Sequence, residues 1–334
     1  MRKTNWFALL APMLILLLPA GFYWSNYYMN IFCLVLMWVV IGCSWNLLAG
    51  FTGQVSFGHA VFFGVGAYSA GVLQLHLAIS PWWGLLIAGF VAMTVGFLVG
   101  VICFRLRGPY FALGTIAVGE MVRHLALYFH DFTGGNLGIT VAQDYKIADK
   151  TPYFYVIAGI ALLCFYTIRF VMRSKWGFYF VAVREDQDAA ESMGISTFKY
   201  KSLSLMLSSF FTGMAGAFAL LFLGYIDPEV VFSLHFISIM AILVAIIGGV
   251  GTQWGPVVGA FIMVGVQETF RSGWFGLADD MFGDAFAATI KGAHAFVFGI
   301  LVVIVILFLA NGVVGDWGKL TGIVRPKKAE KGGA

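Results

Sequence analysis

Apolar runs at residues 7–24, 29–49, 58–76, 82–104, 109–128, 152–170, 203–224, 233–250, 254–270 and 291–310 leave this chain little choice of architecture. A bilayer core is about 30 Å thick and takes roughly 20 residues of helix to cross. It offers the backbone no water, so each run must satisfy its own peptide groups, and runs this long are not barrel strands. The expected fold class is therefore an all-α polytopic membrane protein with about ten transmembrane helices embedded in a lipid bilayer. Hydrophobic residues at 60% and charged residues at 11% lie outside the usage of soluble domains. The net charge of +4 says little about partners, and nucleic acid is not expected among them.

Lysine and arginine orient the spans. With alternating spans and a cytoplasmic N-terminus, Arg2, Lys3, Arg105, Arg107, Arg169, Arg173, Lys175, Arg184, Lys199, Lys201, Lys319, Arg325, Lys327, Lys328 and Lys331 all fall inside, 15 of the 20 basic residues. Arg123, Lys146, Lys150, Arg271 and Lys291 fall in the outer half of the membrane or beyond. Both termini are expected in the cytoplasm. Residues 1–320 form one transmembrane domain, and 321–334 a short basic tail. The basic start and apolar centre of MRKTNWFALLAPMLILLLPAGF would also suit a secretory signal, but no clean small-residue cleavage site follows, so a retained first span is expected. Cys33, Cys43, Cys103 and Cys164 lie in apolar runs without metal-ligand spacing and are read as small buried hydrophobes.

Four places break the hydrocarbon. The inner loop 173–201 is the longest charged segment in mid-chain. Within it Arg184–Met193 reads as one short helix, with Glu185, Asp186 and Asp188 in its first turn, Gly194 as its stop, and Ala189 and Ala190 as a smooth face fit for a groove in another protein. Its acidic character argues against a seat on anionic headgroups. Between the second and third spans, Thr52, Gln54, Ser56 and His59 interrupt apolar surface among glycines. Two readings are open: a broken helix facing a path, or an ordinary cytoplasmic turn. In the fifth span Glu120 and Arg123 share a helix face at three-residue spacing. They form either a polar patch on the translocation route or an ion pair that fixes packing. Outside, Asp131, Asp144, Asp149, Asp279, Asp280 and Asp284 make acidic loops, either solvated or fit to dock a soluble partner.

No GxxxxGK[ST], HExxH or supported GxSxG pattern occurs, so the chain carries no nucleotide site of its own and no recognisable enzyme chemistry. An ion-coupled secondary transporter would place acids in several spans, whereas only Glu120 lies well within one and Glu268 near an end.

The strings NLLAGFTGQVSFGHAVFFGVGAY, RLRGPYFALGTIAVGEMVR, TGGNLGI, VREDQDAAESMGISTFKYK, GYIDPE and IGGVGTQWGPVVGAF, in this order, resemble the LivM-type permease subunits of branched-chain amino acid ABC importers. The likeness runs from about Trp45 to Val264. It implies the ABC importer permease fold in a bacterial plasma (inner) membrane and import of branched-chain or other hydrophobic amino acids by alternating access. It implies a homologous second permease subunit, two ABC ATPase subunits and a periplasmic or extracellular substrate-binding protein as partners. This chain would need no cofactor, ATP and Mg residing on the ATPases. Arg184, Glu185, Asp186, Ala189, Ala190, Glu191 and Gly194 match the family's ATPase-coupling segment. Gln54, Ser56, His59, Glu120 and Arg123 are the candidates for the translocation path. Urea and short-amide permeases share these strings and give the alternative substrate class.

Overall fold

Small residues, more than large ones, set how these helices meet. The computed structural model describes residues 26–271, 299 and 312–315. The runs at 7–24 and 291–310, the tail 321–334 and Asp279, Asp280 and Asp284 lie outside the described residues. Helix α1 (Asn26–Asn46) continues into a π-helical turn, Leu47–Phe51. Then follow α2 (His59–Leu77), α3 (Pro81–Cys103), α4 (Pro109–Tyr128) and α5 (Thr151–Arg173). Two short helices, α6 (Lys175–Glu185) and α7 (Gln187–Ser192), precede the long α8 (Thr197–Leu223). A second π-helical turn, Leu234–Ile239, leads into α9 (Met240–Gly248), and α10 (Gly255–Arg271) follows. Prolines sit in the first turns of α3, α4 and α5, where the missing N–H has no intrahelical partner to lose.

The stretches Asn26–Phe51, His59–Leu77, Pro81–Cys103, Thr151–Arg173 and Thr197–Leu223 are long and apolar enough to cross a membrane, and Leu234–Gly248 and Gly255–Glu268 are shorter apolar helices. The apolar runs predicted between residues 29 and 270 all fall on helices. The largest departure is α8, which starts at Thr197 instead of 203 because its N-terminal turns continue past the hydrocarbon. Lys201 is only 3% exposed there.

Helix α8 is the centre of the bundle, packed on α2 and α3. A Cβ on Gly66 of α2 would overlap the Gly213 carbonyl of α8, and one on Gly216 would overlap the Phe63 carbonyl of α2. These backbones meet directly, as small-residue crossings in membranes do. Helix α4 is the exception. Only Phe111, Thr115 and Ala126 of its 20 residues are buried, and it starts after Gly108, whose φ of +56° and empty surroundings suit a residue without Cβ.

The connections sort onto two faces. One carries the turn after α1, the α3–α4 loop, α6, α7 and the α9–α10 loop, with Arg105, Arg107, Lys175, Arg184 and Lys199. On the other, β1 (Ile139–Thr140) pairs antiparallel with β2 (Tyr225–Ile226), Ile139 opposite Ile226, which pins the 129–150 connection to the end of α8. There Asp149 accepts from Thr151 N at 3.0 Å and Thr151 Oγ1 at 2.9 Å. Those donors, just ahead of α5, hold its carboxyl below the usual carboxylate range. The four cysteines are buried and unpaired with one another.

Candidate coupling face and polar cluster

The acid-rich run Arg184-Glu185-Asp186-Gln187-Asp188 does not form the single helix expected of it. Helix α6 ends at Glu185, and Asp186 turns extended at φ −156° and ψ 118°. Its Oδ1 accepts from Asp188 N at 2.9 Å and Ala189 N at 3.0 Å, so Asp186 caps α7. An aspartate side chain offers the backbone this alternative to continuing a helix. Glu185 therefore leaves the first turn and instead accepts from Arg184 Nη2 at 2.5 Å. Gly194 stops α7 as expected, at φ +82°. Its N–H reaches Glu191 O at 2.9 Å and Ile195 N reaches Ala190 O at 3.0 Å, the paired bonds of a Schellman turn.

The polar side chains of α7 are turned to this chain. Gln187 Oε1 accepts from Lys201 Nζ at 2.5 Å, Asp188 Oδ1 from Arg107 Nη1 at 2.7 Å, and Glu191 Oε1 from Thr197 Oγ1. Ala190 is buried against its own subunit, which corrects its assignment to a free docking face. Ala189 and Met193 are exposed, Met193 at 82%.

Beneath α6, Arg184 Nη1 donates to the Gly50 carbonyl at 3.1 Å. Gly50 lies in the π-helical turn that ends α1. Asn46, one turn earlier, accepts from Gly251 N and donates to Thr252 O, each at 2.8 Å. Three segments distant in sequence are thereby joined: the end of α1, the end of α6 and the α9–α10 loop. Sequence reasoning named Arg184 but missed Asn46, Gly251, Thr252, Arg107 and Lys201. The available signal was an asparagine inside an apolar run, where an amide needs a partner.

Gln54, Ser56 and His59 are all buried. Gln54 Nε2 donates to Thr52 O at 3.3 Å, and the residue lines a cavity of about 390 Å³ with Gly53, Gly108, Phe111 and Gln187. Ser56 accepts through its carbonyl from Trp45 Nε1 at 2.8 Å and through Oγ from Gly58 N at 3.1 Å. Ser208 Oγ donates to Ser44 O at 2.7 Å, so the 2.8 Å contact with His59 takes its proton from His59 Nε2. That arrangement ties α1, α2 and α8 together.

Glu120 and Arg123 pair, with Arg123 Nε 2.9 Å from Glu120 Oε2. A third member joins them. Arg123 Nη1 donates to Glu229 Oε1 at 2.6 Å from the turn Pro228–Val231. Glu229 stands 106 residues away, and no helical spacing could have announced it. Arg123 of this cluster and Phe111 of the Gln54 cavity are twelve residues apart on α4, roughly 18 Å at 1.5 Å per residue. The five path candidates thus fall in two places. Glu229 is 62% exposed at its side chain and Glu120 46%. Because hydrocarbon does not tolerate carboxylates there, this face of α4 meets protein or water. Arg123→Gln is expected to impair the protein more than Glu229→Gln, and the double replacement less than the sum of the two, because losing the guanidinium strands both carboxylates while losing Glu229 leaves Arg123 paired with Glu120. Additive losses in a double-mutant cycle of uptake would show separate roles.

A family model described as "Branched-chain amino acid transport system / permease component" matches residues 27–306. The chain is 28% identical over 291 residues to the high-affinity branched-chain amino acid transport system permease protein LivM of Escherichia coli K12, an alignment covering 78% of this chain and 68% of that one. It is 27% identical over 291 residues, with the same coverage, to the protein of that name from Salmonella typhimurium. To the probable branched-chain amino acid transport permease protein LivM of Methanocaldococcus jannaschii it is 21% identical over 294 residues, covering 71% of this chain and 81% of that one. No solved structure matches the chain with significance. The match spans both α6–α7 and the α4 cluster, and with it the chain belongs to the family of permease components of branched-chain amino acid transport systems.

Proposed function

We propose that this chain is one of two homologous permeases that together import branched-chain or other hydrophobic amino acids across a bacterial plasma membrane by alternating access. The carrying observation is the set of ties from α7 to Arg107, Lys201 and Thr197, and from Arg184 to Gly50. A push on α6 and α7 reaches three other segments of the bundle without passing through a flexible linker. Two separate ABC ATPases would supply it, holding the ATP and Mg, and the permease itself is no enzyme. ATP biases the transporter only by binding its states unequally. A substrate-binding protein would deliver the amino acid at the face of β1 and β2.

The reading uses ten spans with both termini cytoplasmic, residues 1–320 forming the membrane domain and 321–334 the basic tail. It places Arg184, Glu185, Asp186, Ala189, Ala190, Glu191 and Gly194 in the coupling unit, with Ala190 acting from inside. Glu120 and Arg123 belong to the path, with Gln54 at its inner end, and Ser56 and His59 support the wall. Against urea or short amides stands the apolar cavity beside α4, which offers those solutes little to bind.

The test is uptake of labelled leucine, isoleucine, valine and urea by vesicles holding the assembled transporter, with and without ATP. Uptake of urea alone, or uptake that follows an ion gradient and ignores ATP, would refute the reading. Replacing Met193 by Asp should weaken retention of the ATPases at least about tenfold, since it puts a charge on the exposed apolar tip of α7. Unchanged co-purification would remove Met193 from the interface.

A further inference from the structure

Helices α2 and α4 are separated on the β1–β2 side by a cavity of about 540 Å³, walled by Val65, Val72, Val122, Phe129, Phe132 and Phe232 among others. We propose that this cavity takes the branched aliphatic side chain of the transported amino acid, whose carboxylate is met by the Tyr68 hydroxyl. The inference rests on the transport reading above and adds a place to it.

Two observations carry it. The volume falls within the range of small-molecule sites and the wall is almost wholly apolar. Tyr68 also lines the cavity; it is 6% exposed, its ring stacks on Phe232 at 5.6 Å, and its hydroxyl has no hydrogen-bond partner among the described residues. The other two hydroxyls of the wall are engaged: Ser69 Oγ donates to Val65 O at 2.6 Å, and Thr133 Oγ1 to Ala126 O at 2.5 Å. A buried phenol left this way calls for an acceptor supplied from outside, and a carboxylate is one. A lipid acyl chain would fill the apolar part but leave the Tyr68 hydroxyl unmet.

The experiment uses the full transporter with its ATPases and binding protein in vesicles, and measures ATP-driven leucine and valine uptake in competition. Val72→Phe narrows the cavity and is expected to shift the leucine-to-valine ratio about tenfold toward valine, the scale set by one methylene in an apolar pocket. Val122→Ala widens it and should shift the ratio toward leucine, and this mild change carries the test if the first variant does not accumulate. Tyr68→Phe should lower uptake of both substrates about tenfold with the ratio unchanged. Wild-type ratios in both volume variants, with uptake intact, would overturn the proposal, as would a co-purifying lipid lost from Val72→Phe without a change in ratio. A wild-type transporter that takes up no leucine with ATP would overturn the transport reading itself, a separate and recognisable result.

Discussion

Leucine in place of Gly216 should leave almost no correctly folded protein in the membrane. The new Cβ alone would fall on the Phe63 carbonyl and crowd the Ala67 amide, both of them backbone atoms of α2 that cannot rotate away. Overpacking a core costs about 1–3 kcal/mol when side chains can yield, and more when they cannot. A whole domain is stable by only about 5–15 kcal/mol. Gly66→Leu should behave alike, since it meets Gly213 of α8 from the other side. Gly159→Ala on α5 is the control, because nothing lies within 4 Å of its Cβ and alanine is the better helix former. The measurement is the yield of monodisperse protein from membranes. Wild-type yield from Gly216→Leu would mean that α2 and α8 do not cross as described.

Removing the Arg184 side chain should uncouple the transporter while leaving its ATPases attached. In Arg184→Ala the Gly50 carbonyl loses a charged donor at 3.1 Å, and with it the tie between α6 and the end of α1. Hydrogen bonds to charged groups contribute about 1.5–3 kcal/mol. The guanidinium is partly exposed, so the lower end applies, roughly a tenfold fall in substrate moved per ATP hydrolysed. Arg184→Lys should recover little, because Arg184 also holds Glu185 through Nε and Nη2 while Nη1 reaches Gly50. The ratio of leucine uptake to phosphate release reads the effect directly. A wild-type ratio in Arg184→Ala would remove the tie from the coupling route.

Hydrophobic length was enough to read α1 to α5 and α8 to α10, because a bilayer leaves long apolar segments one solution. What it could not give was anything set by a single side chain or by contacts across the fold. Asp186 splits one expected helix into α6 and α7 through two hydrogen bonds to its own backbone neighbours. Ala190 looked like its neighbour Ala189, and only its burial in the fold tells them apart. Gly194 was legible because its role is local, a left-handed residue ending a helix. Glu229 and Asn46 were not, since their partners lie 106 and more than 200 residues away.

Gly108 gives α4 a pivot at one end, and the Arg107–Asp188 bond fastens that pivot to α7. At 20 residues α4 is about 30 Å long, so a tilt of about 10° there carries its far end through about 5 Å. Three buried residues and the Arg123–Glu229 bond hold it to its neighbours, so a push on α7 that tilted α4 would be read out at its β1–β2 end.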